Sequence, residues 1–81
     1  MSLGAPTVYE LRTFGTRTYA ATQRGVMVSD TGGVSWQPFN PDFTQDVRSV
    51  ALLNNGNLLA VGPSGLFELS QTEIKPSSLP N

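Results

Sequence analysis

The chain has 81 residues with five basic and six acidic side chains, a net charge of −1, and neither cysteine nor histidine. This length allows one domain at most, and the balanced charge offers no basic footprint for nucleic acid or anionic lipid. The missing residue types exclude disulfides, thiolate metal sites and the usual general base. Only 14% of the residues are charged. An average domain has roughly 25%, which suggests that some of this surface is covered by another molecule.

The first half contains four short runs with the character of β-strands. Residues 7–13 alternate loosely, so Tyr9 and Glu10 are expected to point to opposite faces of their strand. The small side chains of Ala20 and Ala21 indicate close packing on both faces of the second run. Consecutive antiparallel strands form a meander, here predicted at 7–13, 17–22, 25–29 and 36–39.

A short polar segment, Ser29-Asp30-Thr31-Gly32-Gly33-Val34-Ser35-Trp36, separates the third and fourth runs. Polar and glycine residues between two strand-like runs indicate a β-hairpin. Gly32 and Gly33 can adopt positive φ at little steric cost. We expect Asp30 to accept backbone N–H bonds across the turn and Trp36 to pack beneath it as a buried anchor.

This segment resembles the Asp box, or BNR repeat, whose motif runs Ser-x-Asp-x-Gly-x-Thr-Trp. Ser29, Gly33, Ser35 and Trp36 match its Ser, Gly, Thr and Trp positions, while Thr31 stands where the motif has Asp. In that family the box closes the hairpin between the third and fourth strands of a β-propeller blade. It occurs in sialidases, other glycosidases, photosystem assembly factors and many non-enzymes. The resemblance implies that the box residues are structural, namely Ser29, Asp30, Thr31, Gly32, Gly33, Ser35 and Trp36.

The second half repeats this organisation after a loop at 40–46. Asn55-Gly56 is a strong short hairpin signal. The continuous apolar run at 58–61 is expected to be a strand that is buried on both faces. The strands of this half are predicted at 47–53, 58–61, 65–70 and 72–75.

Residues 19–27 resemble residues 59–67, which lie 40 positions later. A period near 40 with four strands per period is typical of propeller blades. We therefore predict an all-β chain of two four-stranded antiparallel meanders that resemble β-propeller blades. The first repeat, with the Asp box, is predicted at 7–40, the second and degenerate repeat at 46–76, and flexible ends at 1–6 and 77–81.

The sequence contains no convincing catalytic constellation. Sialidases combine carboxylates and arginines with a tyrosine nucleophile, but Tyr9 and Glu10 are not expected to share one site. The scattered loop acids lack the regular spacing of a Ca²⁺ loop. We therefore expect no catalytic, cofactor-binding or metal-binding residues. A carbohydrate partner stays possible through stacking on Trp36, although its place in the motif favours a buried anchor.

Two blades leave two faces open, because propellers close with four to eight blades. Three outcomes are compatible with this: self-association into a ring or sandwich, a fragment of a longer protein, or two sheets that pack on each other. Three copies in a ring would give six blades. The contact surfaces are expected to include Leu58, Leu59, Val61, Leu66, Phe67 and Leu69 in the second half, and Val26, Met27, Val28 and Trp36 in the first.

We predict a non-enzymatic β-propeller-type interaction or assembly module that is completed by self-association. The alternative is a fragment of a carbohydrate-active propeller enzyme, sialidase-like or glycosidase-like, whose catalytic residues lie on missing blades. In the first case the partners are further copies of the chain, and in the second they are the remaining blades. No cofactor, nucleic acid or membrane partner is expected. The sequence shows no signal peptide and no apolar run of 18 residues, so it does not assign a compartment.

Overall fold

The computed structural model describes residues 7–77, which form two four-stranded antiparallel sheets without a helix, as predicted. The predicted ends lie outside the described residues, except for residue 77, which ends the last strand. Each sheet is a meander in sequence order. The first sheet contains β1 (Val8–Phe14), β2 (Arg17–Thr22), β3 (Gly25–Ser29) and β4 (Gln37–Pro38), and the second contains β5 (Ser49–Leu52), β6 (Leu58–Gly62), β7 (Gly65–Leu69) and β8 (Ile74–Ser77).

Two hairpin turns depend on glycines with positive φ. Gly32 and Gly33, between β3 and β4, have φ angles of 71° and 94°, and Gly56, between β5 and β6, has a φ of 87°. Residues with a Cβ rarely adopt such angles. The N–H of Gly56 donates to the carbonyl of Leu53 at 3.0 Å and closes the turn. Both hairpins predicted from glycine-containing turns are therefore confirmed.

Two strands, β5 and β8, begin two residues later than predicted, and β4 is one residue shorter than predicted at each end. The N–H of Val47 donates to the carbonyl of Thr22 in the first sheet, at 2.8 Å, so the chain crosses between the sheets and β5 begins only at Ser49. The ladder of β4 is only two residues long. The strand β8 begins two residues late, because the preceding N–H groups bond within the turn before it.

The core lies between the two sheets. We call the face of each sheet that points to the other sheet its inner face, and the opposite face its outer face. The connection at 39–48 contributes three buried apolar side chains, and Phe43 meets Phe67 of β7 edge to face at 5.1 Å. The inner faces contribute Tyr19, Ala21, Val26 and Val28 from the first sheet and Val50, Leu58, Ala60 and Leu69 from the second, and the connection contributes Phe39, Phe43 and Val47.

The two sheets repeat one strand register at an offset of 40 residues. Ala20 pairs with Met27 between β2 and β3, and Ala60 pairs with Phe67 between β6 and β7. Every register pair of β2 with β3 has its counterpart at this offset in β6 and β7. The repeat predicted from sequence is therefore present in the backbone pairing.

The expectation that the apolar run at 58–61 is buried on both faces is wrong, because only one face of this strand is buried. Leu58 is 0% exposed and Ala60 is buried, whereas Leu59 is half-buried and Val61 is 41% exposed. Successive residues of a strand point to opposite faces. The second sheet therefore has an apolar outer face that the described residues leave open.

Candidate interaction surfaces

Two hydroxyl groups hold the turn between β3 and β4. The Oγ of Ser29, which is buried at the end of β3, accepts the N–H of Gly33 at 2.9 Å and that of Thr31 at 3.3 Å. The Oγ1 of Thr31 accepts the N–H of Ser35 at 2.9 Å, and the two hydroxyls lie 3.2 Å apart. Hydrogen bonds of this kind contribute about 1 kcal/mol each. Thr31 therefore supplies an acceptor at the position where the Asp-box motif has its acid.

Two expectations for this turn are wrong. Asp30 is exposed, and the backbone N–H groups of the turn bond to Ser29 and Thr31 instead. Trp36 is not a buried anchor, since it is 38% exposed. Its Nε1 donates to the carbonyl of Gly33 at 3.0 Å, so the indole is fixed against the turn with part of its ring exposed.

In the corresponding turn of the second sheet a hydroxyl group again accepts backbone N–H groups, an arrangement that we call a clip. This turn has neither glycine nor tryptophan. The Oγ of Ser70, directly after β7, accepts the N–H of Thr72 at 3.3 Å and that of Glu73 at 2.9 Å. Asn40 reaches this turn from the connection between the sheets. Its Nδ2 donates to the carbonyls of Ser70 and Glu73, at 2.9 and 3.2 Å. The sequence placed Asn40 only at the edge of a loop, because nothing local indicates a bond to a residue 30 positions away.

A bulge in β1 brings Tyr9 and Glu10 to the same end of the second sheet. The register shifts between Val8 and Glu10, so two residues oppose Ala21 and the loose alternation of this strand is interrupted there. Glu10 accepts the hydroxyl of Ser49 at 2.8 Å. The Arg48 guanidinium lies 4.2 Å from the centre of the Tyr9 ring. Tyr9 and Glu10 therefore contact neighbouring residues of the second half, Tyr9 through Arg48 and Glu10 through Ser49.

The groups in this cluster are engaged with each other. Arg12 pairs with Glu10 at 3.1 Å, and Arg48 pairs with Asp46 at 3.0 Å. The hydrogen bonds from Arg12 and Ser49 lower the pKa of Glu10 to about 2. Glu10 is therefore a carboxylate at neutral pH, and it cannot donate a proton as a general acid there. Its bonds to Ser49 and to the N–H of Val50 instead join β1, the first strand of the first sheet, to β5, the first strand of the second.

The described residues show no metal centre. Within residues 7–77, no group of three or more Asp or Glu side chains is placed to hold a metal ion. The same residues contain no helix that is long and apolar enough to cross a membrane.

The first sheet has an apolar outer face. A register row across the sheet joins Leu11, Ala20, Met27 and Pro38. None of these side chains belongs to the core cluster between the sheets. Leu11 is 59% exposed and Met27 is half-buried, whereas the small Ala20 between them is buried. The bulge adds Val8, which pairs with Thr22 on the same side. We call Val8, Leu11, Ala20, Met27 and Pro38 the first outer face.

The second sheet has its own apolar outer face. Ala51 pairs with Leu59, and Val61 pairs with Leu66. These side chains are exposed or half-buried, and they also lie outside the core. We call Ala51, Leu59, Val61 and Leu66 the second outer face.

Several residues expected at an intermolecular contact lie between the sheets instead. In the second half these are Leu58 and Leu69, which are fully buried, and Phe67, which packs against Phe43. The reason is the pleat, because Leu58 and Leu59 must point to opposite faces. Val26 and Val28 of the first half are likewise core residues.

Unlike faces of the two repeats meet in the core. At the offset of 40, the inner-face residues Ala21 and Val26 correspond to Val61 and Leu66 of the second outer face. Conversely, Ala20 and Met27 of the first outer face correspond to Ala60 and Phe67 on the inner face of the second sheet. The sheets are therefore related head to tail, like consecutive units of a repeat array. A two-fold sandwich would place equivalent faces against each other.

No protein-family model, no curated protein and no solved structure matches this chain.

Proposed function

We propose that this chain is a non-enzymatic β-propeller-type interaction or assembly module, completed by self-association. The observation that carries the proposal is the head-to-tail packing of the two repeats. At the offset of 40 residues, the outer face of the second sheet is equivalent to the inner face of the first sheet. The outer face of the first sheet is likewise equivalent to the inner face of the second. Repeat units that cannot bury their faces alone are stabilised by neighbours. Both open faces therefore suit further units of the same kind.

The turn between β3 and β4 supports the blade interpretation. Its clip uses Ser29 and Thr31 at the Ser and Asp positions of the box, and its two glycines have positive φ. The serine clip at Ser70 supports a second, degenerate blade. These contacts stabilise hairpins, so they favour a structural role for the motif over a chemical one.

The alternative is a fragment of a carbohydrate-active propeller enzyme, and one observation favours it. Near the bulge, Tyr9 contacts Arg48 and Glu10 pairs with Arg12. These residue types resemble those of sialidases. Both guanidiniums already pair with carboxylates, which favours the structural interpretation. Because the alternative places the catalytic residues on missing blades, absence of sialoside turnover by this chain does not decide between the two. The mass in solution does, since a defined multiple of 8.7 kDa supports the module.

The proposed module is tested by fusing two copies of the chain end to end. The fusion places residues 78–81 and 1–7 between two sheets, a connection about as long as the 39–48 connection of the single chain. Packing of the new neighbours buries one first and one second outer face within one molecule. We expect a higher thermal midpoint for the fusion than for the single chain, both measured at low concentration by circular dichroism.

A matched pair of fusions controls this experiment. Val61→Glu in the first copy places a charge in the new contact, whereas Val34→Glu adds the same charge to the box turn, where Val34 is 87% exposed. The gain in midpoint should disappear with the first change and persist with the second. A fusion that melts like the single chain would contradict the proposal.

A further inference from the structure

We infer that a second copy of this chain binds head to tail, with the second outer face of one copy on the first outer face of the next. This inference rests on the proposed function and names its partner and its contact. The contact is the continuation of the packing that already joins the two sheets of one chain. Each copy therefore both offers and accepts a face.

The composition of the two faces fits this contact. The first outer face has a small residue, Ala20, between Leu11 and Met27 in its central row. The corresponding inner row of the second sheet has Ala60 next to Phe67, and it already belongs to the packed interface between the sheets. Both rows therefore place an alanine beside a larger apolar side chain, although Ala20 itself is already buried within its sheet. We infer that aliphatic side chains of the second outer face pack on the exposed Leu11 and its neighbours as Ala21 and Val26 pack within the chain.

A polar group limits the extent of the contact. Glu68 stands at the position that corresponds to the buried Val28, and its Oε2 accepts the Nδ2 of Asn57 at 2.9 Å. Hydrogen bonds from Asn57 and Asn55 hold the pKa of Glu68 below its ordinary value. A carboxylate held in this way resists burial. The contact therefore centres on Ala51, Leu59, Val61 and Leu66, and it leaves the far end of β7 in water.

The charges of the two outer faces do not oppose binding of a second copy. The register rows of the first outer face contain apolar and hydroxyl side chains and no charged residue, within the part of the chain that the structure describes. Glu68 and Lys75, which pair across β7 and β8, therefore meet no like charge there. A head-to-tail contact closes into a ring when its rotation divides a full turn. Two to four copies would give the four to eight blades of ordinary propellers.

Two surface variants and their mixture test this inference. Leu11→Glu blocks the first outer face and Val61→Glu blocks the second, and both side chains are already exposed in the single chain, so each variant is expected to fold. Light scattering should give a multiple of 8.7 kDa for the unmodified chain and 8.7 kDa for each variant alone. Val34→Glu, which adds the same charge outside both faces, should keep the mass of the unmodified chain.

The mixture distinguishes head-to-tail from face-to-same-face association. A Leu11→Glu copy retains an intact second outer face, and a Val61→Glu copy retains an intact first outer face. An equimolar mixture should therefore form a dimer of twice the monomer mass and no larger species. If one variant alone keeps the unmodified mass, or if the mixture stays monomeric, the head-to-tail contact is overturned.

A folded monomer of the unmodified chain at high micromolar concentration would also overturn the inference. The end-to-end fusion then decides separately whether the faces accept a further blade. A stabilised fusion with a monomeric single chain would retain the repeat packing of the proposed module but reject self-association, and with it the second copy as the partner.

Discussion

Leu58 and Leu59 provide a matched test of the face assignment, because they are identical neighbours on opposite sides of β6. Leu58 is 0% exposed inside the core, and Leu59 is half-buried on the second outer face. Leu→Ala at fully buried sites costs about 2.7–5 kcal/mol, since it removes apolar contacts and leaves a cavity. Leu59→Ala should cost about 1 kcal/mol, roughly half of the value for complete burial of a leucine.

The comparison is best made in the Leu11→Glu background, which removes the proposed self-association. A domain of this length has a stability of about 4–12 kcal/mol, so Leu58→Ala should remove a large part of it. Urea unfolding followed by circular dichroism and by the fluorescence of Trp36 measures both changes. Equal losses, or a larger loss for Leu59→Ala, would refute the assignment of inner and outer faces.

Three further predictions concern contacts that hold the sheets and their turns. The pKa of Glu10 is about 2 in the folded chain, against an ordinary 4.5. Its contribution to the free energy of unfolding should therefore be complete above pH 4.5 and be lost as the pH falls toward 2. In Glu10→Gln the free energy of unfolding, measured as a function of pH, should change less over this range. Thr31→Val should cost about 1 kcal/mol in urea unfolding, while Asp30→Ala should stay within about 0.5 kcal/mol, and the reverse order would show that the acid holds the turn. Gly62→Ala should cost about 1–3 kcal/mol, because its Cβ would collide with the backbone carbonyl of Asp46, and an unchanged thermal midpoint would contradict that close approach.

The parts of the fold that the sequence predicted well depend on local signals. The bounds of β2 and β3 agree with the prediction, because a turn ending in Gly25 separates two runs of strand-forming residues. The Asn55-Gly56 turn was likewise predictable, since turn chemistry is encoded within a few residues. The repeat was predictable from the similarity of two segments 40 positions apart.

The parts that the sequence did not predict depend on distant partners. The bulge at Tyr9 places Glu10 against Ser49, which lies 39 residues later, and no local pattern distinguishes it from regular alternation. The run at 58–61 is apolar on both faces, so it gave no sign of which face is buried. The exposure of Trp36 does not follow from its sequence, because its position in the motif indicates a turn and carries no information on burial.

The solution mass of the unmodified chain tests the central claim most directly. If the two outer faces associate head to tail, light scattering at high micromolar concentration should give an integral multiple of 8.7 kDa, from two to four copies. The multiple should persist on moderate dilution. A folded, cooperatively melting species of 8.7 kDa at the same concentration would contradict the claim that these faces are covered by further copies of the chain.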